Sequence, residues 1–398
     1  MLLPTKIKQL VASHKVELLK VLGLFVSWRL IVWLIAFISS NRFNLEKDQA
    51  HAWIVDHPWL PEAPSWLSYF ARWDSGWYVS IASRGYFYFG PEELSNVVFF
   101  PLYPLLMKAV SFVTGGNLVI AGIIVSNLAL LLACFFLYFL AKKELKKKSL
   151  ALTSVFFLLI FPYSFFFTSV YTEALFLLTV VASFYFARNK NWAAAAIFAG
   201  FASATRPTGI IMLVVLAFEY LASKNYKLKN IKADMAWLLL APLGLLSYMT
   251  YLNFRFADPL LFSKAQEAWG RKTSLSVAGT VESLGSYLHD LIYPSTNLAY
   301  YISNAFDFIF FITFFGLSFY VFFRIRKSYG LFMFLSLLIP IITQSLISMG
   351  RFTAVLFPAF LVFAKISKKQ PWGYALTMLL AMLSTIVIML FVNSYWAG

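Results

Sequence analysis

The stretch from Leu150 to Ala187 constrains the fold of this chain most, because its residues are apolar almost without interruption. As one helix rising 1.5 Å per residue, it would be about 57 Å long. The hydrocarbon core of a bilayer is only about 30 Å thick, so the stretch is predicted to form two short membrane spans joined by a hairpin at 162–173. Residues 192–221 have the same layout, with a predicted turn at 204–209.

Composition places the whole chain among polytopic membrane proteins. Of its 398 residues, 61% are hydrophobic and only 13% are charged, whereas soluble domains have about half and about a quarter. The net charge of +16 arises largely from short basic runs between apolar segments. That distribution is typical of the cytoplasmic loops of membrane proteins and argues against a nucleic-acid partner. The fold class predicted is an all-α polytopic membrane protein with about eleven transmembrane helices.

The basic runs also predict the orientation of the chain. Lysines precede the first predicted span, Val21–Ser39, so the N-terminus is expected in the cytoplasm and the C-terminus outside. The basic run Lys142–Lys148 must then be cytoplasmic, so Val97–Val113 is predicted to be a re-entrant or interfacial helix on the outer side. The remaining spans are predicted at 118–141, 150–187 (two), 192–221 (two), 236–254, 298–323, 329–348, 352–366 and 371–394.

Polar residues collect in two predicted outer loops of a single domain, 1–398. The first extracytoplasmic loop is placed at 40–117, with short helices on the membrane surface, and the second at 255–297. Few acidic residues fall on the cytoplasmic side, namely Glu17, Glu144, Glu219 and Asp234. The function is therefore predicted on the outer face. No N-x-S/T sequon occurs, which favours a prokaryotic protein of the plasma (inner) membrane.

The first loop contains the segment Ala71–Tyr86 (ARWDSGWYVSIASRGY), which places Asp74 beside Arg72. A carboxylate in a partly desolvated cleft is suited to act as a general base, tuned by burial and by such a neighbour. The alternatives are a structural Asp–Arg pair or a helix N-cap. Three aromatic residues are candidate substrate contacts, with an interfacial aromatic belt as the alternative: Trp73, Trp77 and Tyr78.

Three further charged residues lie at predicted span ends on the outer side. Arg206, in TRPTG, and Arg351 are suited to grip a phosphate through two parallel hydrogen bonds. The alternative for both is snorkelling to lipid headgroups. Glu173, in FPYSFFFTSVYTE, is an acid at the mouth of an apolar run, and such residues usually face a cavity or a partner.

The second loop holds the segment Asp258–Arg271 (DPLLFSKAQEAWGR), in which Lys264, Gln266 and Trp269 combine amide, charge and an aromatic face, as a sugar site requires. A solvated amphipathic helix is the alternative. The four histidines lack the spacing of a metal site, and no nucleotide-binding fingerprint is present. We predict neither a metal site nor a cofactor.

Several motifs together resemble one family. They are RWDSGWY–IA–RGY (72–86), FFPLYPLL (99–106), FPYSFFFTSVYTEALF (161–176), ATRPTG (204–209), DPLLFSKAQEAWGR (258–271) and MGRFTAVLFPAF (349–360). In this order they resemble the glycosylphosphatidylinositol mannosyltransferase II (PIG-V) family, including its prokaryotic members. The likeness covers roughly 21–365. The family belongs to the GT-C membrane glycosyltransferases, which transfer a sugar from a polyprenyl-phosphate donor on the extracytoplasmic or lumenal side.

The resemblance implies roles for particular residues. A catalytic acid in the first outer loop would be Asp74, and the donor-phosphate contacts would be Arg206 and Arg351, with Arg72 as a third candidate. The sequence departs from the motif at Phe352, where the family usually has tyrosine. The implied partners are a polyprenyl-phosphate sugar, with mannose as the sugar, a lipid or glycan acceptor and the lipid bilayer.

The sequence therefore predicts an inverting membrane mannosyltransferase. The alternatives are a flippase for a lipid-linked saccharide and a non-catalytic membrane scaffold. Transporters tend to carry ionisable groups at the membrane midplane and inverted repeats. Neither is evident here, and RWDSGWY is intact, so the enzyme is favoured.

Overall fold

The computed structural model describes residues 14–42, 65–271, 276–293, 298–393 and 395, and in these ranges the chain contains helices and no strands. The predicted surface helices at 43–64 lie outside the described residues. The α-helices are α1 (Lys15–Arg42), α2 (Ser65–Ser68), α3 (Ser75–Arg84), α4 (Leu102–Ser111), α5 (Leu118–Leu145), α6 (Lys148–Ile160), α7 (Glu173–Arg188), α8 (Trp192–Thr205), α9 (Ile211–Ser223), α10 (Leu243–Phe256), α11 (Leu261–Lys264), α12 (Val277–Ile292), α13 (Leu298–Arg324), α14 (Lys327–Ile342), α15 (Met349–Ala354), α16 (Pro358–Ile366) and α17 (Trp372–Val392).

Among the described helices, four are long and apolar enough to cross a membrane by themselves. They lie in α1, α5, α13 and α17. A fifth candidate combines Ala233–Leu240 with α10, two helical segments bent by 42°, and Pro242 lies at their junction. The predicted number of about eleven spans is therefore not confirmed.

Short helices occupy the positions of several other predicted spans. The apolar stretch 150–187 is divided as predicted, since α6 ends at Ile160 and α7 begins at Glu173. These helices have 13 and 16 residues, about 20 and 24 Å. The break at 204–209 is also confirmed, between α8 and α9. Whether these helices cross the membrane stays a prediction.

Two predicted apolar segments differ in length from a full span. The one α-helix within Val97–Val113 is α4, whose 10 residues measure about 15 Å, in agreement with a helix that does not cross. The predicted span 352–366 is interrupted between α15 and α16. Pro358 explains the break, because it has no N–H to donate to the carbonyl of the preceding turn.

Helix α7 lies at the centre of the molecule. Apart from the last turn it is buried all round, as expected for a helix that is apolar on every face. It packs against α5 and α8. Its first residue, Glu173, and its last, Arg188, are the charged ends of this buried helix, about 22 Å apart.

At the Arg188 end, charged side chains join the ends of several helices into one network. Arg188 pairs with Glu144 at 2.6 Å and with Glu219 at 3.7 Å. Arg326 grips both oxygens of Glu219, and Ser328 donates to it at 2.7 Å. The contacts bring together segments that the sequence assigns to the cytoplasmic side, so that assignment is internally consistent. The structure contains no membrane, and the sidedness stays a prediction.

We expect Glu219→Ala to lower the free energy of unfolding by about 1–3 kcal/mol, because it removes the acceptor of three hydrogen bonds. Glu219 is buried, but Arg188 and Arg326 reach solvent and can be rehydrated, which limits the cost. Chemical unfolding in detergent would measure the change. The matched control is Glu17→Ala, since Glu17 pairs with the exposed Lys148; it should unfold like the wild type. Equal stability of both variants would contradict a structural role for the network.

At the Glu173 end, the two predicted outer loops pack together. Val97, Val98 and Phe100, which precede α4, form a buried cluster with α10 and α11. The Tyr248 hydroxyl in α10 donates to the carbonyl of Val97 at 2.7 Å. Segments far apart in sequence are thereby fixed around one cavity.

Candidate functional site

A cavity of about 560 Å³ lies at the Glu173 end of the helices. Its wall is drawn from both predicted outer loops and from the ends of α7, α8, α14 and α15. Seven of the eleven site residues selected from the sequence line it: Trp73, Asp74, Tyr78, Arg206, Gln266, Trp269 and Arg351. The cavity is the candidate active site.

Asp74 is held by the backbone immediately before α3. Trp73 adopts a left-handed conformation with φ of 52°. The Tyr171 hydroxyl donates to the carbonyl of Arg72 at 3.0 Å and accepts from the Asp74 N–H at 3.2 Å. A side chain from the turn before α7 therefore fixes the position of the carboxylate.

The Asp74 side chain makes an ion pair and does not cap its helix. It occupies the N-cap position of α3 without a side-chain cap hydrogen bond. Its Oδ2 instead accepts from Arg351 at 2.8 Å. The structure thus contains an Asp–Arg pair, as one of the predicted alternatives has it. The partner is Arg351, 277 positions away, and not the nearby Arg72.

Glu173 lies behind the cavity wall, between two of the predicted phosphate contacts. Its Oε1 is 3.2 Å from Arg206 and 3.2 Å from Nε of Arg351. The first contact is a hydrogen bond, whereas the Arg351 Nε contact lacks hydrogen-bond alignment. Glu173 is 1% exposed and does not line the cavity. It is placed to balance the charge of two arginines.

Arg351 is positioned by the start of α15. The Asp307 carboxylate accepts the N–H groups of Ser348 at 3.0 Å and Gly350 at 3.2 Å. A Cβ at Gly350 would lie 2.1 Å from the ring of Tyr163, so this close approach requires glycine. Burial acts to lower the pKa of Arg351, but the charges of Asp74 and Glu173 outweigh it and raise that pKa above its ordinary value.

One ring lies among three guanidinium groups. Phe352 is 4.9 Å from the guanidinium carbon of Arg206, 5.0 Å from that of Arg271 and 5.5 Å from that of Arg351. Each distance is within the range of a cation–π contact. Phe352, at which the sequence departs from the motif it resembles, therefore packs its ring against all three arginines.

Aromatic residues form a second part of the site. Trp269 makes edge contacts with Phe99 at 5.3 Å and with Trp77 at 5.2 Å, measured between ring centroids. Tyr78 is close enough to Thr172 for a hydrogen bond, at 3.3 Å. Burial raises the pKa of Tyr78 well above its ordinary value, and the charges of Glu173 and Asp74 add to the effect. Its hydroxyl therefore stays protonated at neutral pH.

Four residues selected from the sequence do not line the cavity: Arg72, Trp77, Glu173 and Lys264. Lys264 is exposed and pairs with Asp258 at 2.6 Å. Trp77 is buried and contacts the ring of Trp269. The structure gives neither residue a direct place in the cavity wall.

Two charged residues of the site were not selected from the sequence. Arg271 ends the quoted motif of the second loop and lines the cavity. Asp307 lies in a helix apolar enough to span a membrane, and an acid inside such a segment is itself a signal of function. Tyr171, in contrast, carries no sequence signal that separates it from its aromatic neighbours.

Comparison with protein families finds one partial match. The family model for dolichyl-phosphate-mannose-protein mannosyltransferase matches residues 100–253. This range includes Glu173 and Arg206 but not Asp74, Arg271 or Arg351. A comparison with curated proteins finds no match.

Among solved structures, the chain is similar to the oligosaccharyltransferase of Archaeoglobus fulgidus. The apo form is 16% identical with a TM-score of 0.44, over 94% of this chain and 56% of that chain. The complex of the archaeal oligosaccharyltransferase AglB with an inhibitory peptide and a dolichol-phosphate is 13% identical with a TM-score of 0.40, over the same shares. The chain spans about half the length of these proteins.

Proposed function

We propose that the protein is a membrane glycosyltransferase that transfers a sugar from a polyprenyl-phosphate donor to an acceptor hydroxyl. The observation that carries the proposal is the cavity in which Asp74, paired with Arg351, lies near two further guanidinium groups. A carboxylate for the acceptor proton and cations for a phosphate leaving group are the two functions that such a reaction needs. The family match at 100–253 supports the same class.

In the proposed reaction, the free oxygen of Asp74 takes the proton from the acceptor hydroxyl. The acceptor oxygen forms a bond to the anomeric carbon, while the bond from that carbon to the phosphate oxygen breaks on the opposite face. The sugar is transferred with inversion, and the polyprenyl phosphate keeps the bonding electrons. Arg351 holds the other oxygen of Asp74 at 2.8 Å and so orients the base.

The cavity also offers groups that suit a sugar. Trp269 supplies an aromatic face and Gln266 an amide, as the sequence predicts, and both line the wall. The Tyr78 hydroxyl is available as a donor. Three parts of the proposal follow from the predicted topology and the family resemblance. They are mannose as the sugar, catalysis on the extracytoplasmic face, and an inner-membrane location with the N-terminus inside.

Sugar transfer by the purified full chain in lipid nanodiscs tests the proposal. Radiolabelled polyprenyl-phosphate-mannose and a crude pool of membrane glycans would be supplied, with protein-free nanodiscs as the control. Labelled product that requires the protein is the expected result. Movement of the labelled lipid across vesicle membranes without transfer would contradict the proposal and favour a flippase.

A further inference from the structure

The arginines around Phe352 differ in how their charges are balanced. Arg206 pairs with Glu173, and Arg351 pairs with Asp74 and Glu173. In the described part of the chain, no carboxylate lies within ion-pair distance of Arg271. Its hydrogen bond runs from Nη2 to the carbonyl of Ile347 at 3.3 Å. Arg271 is therefore the one of these three arginines without a carboxylate partner.

Two serine hydroxyls line the same cavity. Ser345 and Ser348 are 5% and 1% exposed, and both appear in the cavity wall. Neither Oγ has a hydrogen-bond partner among the described residues. A buried hydroxyl without a partner costs free energy, so a ligand that offers these hydroxyls hydrogen bonds would be favoured.

The segment that carries these serines is held in an unusual conformation from outside. Gln344 and Ser348 have positive φ angles of 51° and 72°, which non-glycine residues rarely adopt. Ser283 of α12 donates to the Gln344 carbonyl at 3.0 Å, and the Tyr287 hydroxyl accepts from the Leu346 N–H at 3.0 Å. Helix α12 thereby preorganises the segment 344–348. This segment carries both serines and the Ile347 carbonyl to which Arg271 donates.

An apolar wall adjoins this polar group. Leu337 and Pro340 of α14, together with Val355 and Leu356 after α15, line the same cavity. A ligand that fills both parts has an anionic head and an apolar chain. A phosphodiester carries a single negative charge, and Arg271 is the arginine of this cavity that can pair with it without giving up a carboxylate.

We propose that Arg271, Ser345 and Ser348 form the phosphate subsite of the cavity and bind the phosphate of a polyprenyl-linked donor. The identity of the ligand rests on the proposed function, whereas the subsite rests on the charges and hydroxyls above. The subsite differs from the one expected from the sequence, since Arg206 and Arg351 here hold carboxylates. Burial lowers the pKa of Arg271 to about 10, and the nearby Arg351 adds to the effect; a bound anion relieves this cost.

Binding of radiolabelled polyprenyl monophosphate to the full chain in phosphatidylcholine nanodiscs tests the subsite. Arg271→Gln should weaken binding by about 10- to 100-fold, the value of hydrogen bonds to a charged group. Ser345→Ala and Ser348→Ala should each weaken it by about 2- to 10-fold. The matched control is Arg255→Gln, because Arg255 is an exposed arginine of α10 outside the cavity wall; its affinity should equal that of the wild type.

A folding readout accompanies the binding data. Because Arg271→Gln removes a cation that has no carboxylate partner, its thermal midpoint without ligand should equal or exceed that of the wild type. Weaker binding by a variant of undiminished stability would support the subsite. Unchanged binding by Arg271→Gln would overturn the subsite. So would a result in which Arg206→Gln weakens binding and Arg271→Gln does not.

Competing ligands distinguish the source of the phosphate. The unlabelled polyprenol should compete weakly and equally in wild type and Arg271→Gln, since it lacks the phosphate. Phosphatidylglycerol that competes as well as unlabelled polyprenyl phosphate would assign the subsite to bilayer headgroups and overturn the proposal. Wild-type protein that binds no polyprenyl phosphate would refute the proposed function too, whereas sugar transfer with unchanged binding by Arg271→Gln would refute the subsite alone.

Discussion

Asp74→Asn is expected to lower the rate of sugar transfer by about 10²- to 10⁴-fold, the usual contribution of a general base. Asparagine has nearly the same shape but cannot accept the proton of the acceptor hydroxyl. It can still accept a hydrogen bond from Arg351, which lies 2.8 Å from the Asp74 carboxylate. The loss should therefore appear in kcat. The nanodisc transfer assay measures the rate, and unfolding in detergent checks that the fold is retained.

The matched control for Asp74→Asn is Asp258→Asn. Asp258 is also an aspartate in an ion pair, with Lys264 at 2.6 Å, but it lies outside the cavity wall. That variant should transfer sugar at the wild-type rate. A folded Asp74→Asn variant with undiminished turnover would remove Asp74 from the mechanism and leave the Asp74–Arg351 pair a structural contact.

Glu173→Gln is expected to destabilise the protein by about 3 kcal/mol, because it leaves buried arginines without their counter-charge. Glu173 is 1% exposed, and the side chains of Arg206 and Arg351 are 14% and 8% exposed, so water restores little of the loss. Arg351 keeps Asp74, which places the effect at the lower end of the range for buried pairs. Chemical unfolding of the variant measures the change directly.

A double-mutant cycle separates this role from a substrate contact. Removing the excess charge with Arg206→Met in the Glu173→Gln background should restore part of the stability, since the two side chains interact at 3.2 Å. A raised KM with unchanged stability in Glu173→Gln would instead show that Glu173 contacts the substrate, as the sequence predicts. The two outcomes are distinguishable, because the loss of stability is measured without substrate and the raised KM only with it.

The arrangement also explains why three arginines share one cavity. Two of them are bound to carboxylates, and one of the two, Arg351, holds Asp74 at 2.8 Å. The third, Arg271, is the one that we propose binds the ligand. This division of roles follows from distances between side chains, and residue type alone gives no hint of it.

The sequence alone determined the helical class, the breaks within the long apolar stretches and seven of the residues that line the cavity. Apolar run lengths and prolines act locally, so the breaks at 162–173 and 204–209 are predictable. Asp74 stands out as an acid among aromatic residues in a predicted outer loop, and Arg206 and Arg351 as arginines at predicted span ends that are suited to grip a phosphate.

Only the tertiary structure decided which charges meet. Asp74 pairs with Arg351 and not with its neighbour Arg72, because the turn fixed by Tyr171 directs the carboxylate across the cavity. Glu173 is predicted as a substrate contact, but the structure shows it buried as the counter-ion of Arg206 and Arg351. Such pairings join residues up to 277 positions apart. They depend on how the helices pack, so they cannot be predicted from spacing along the chain.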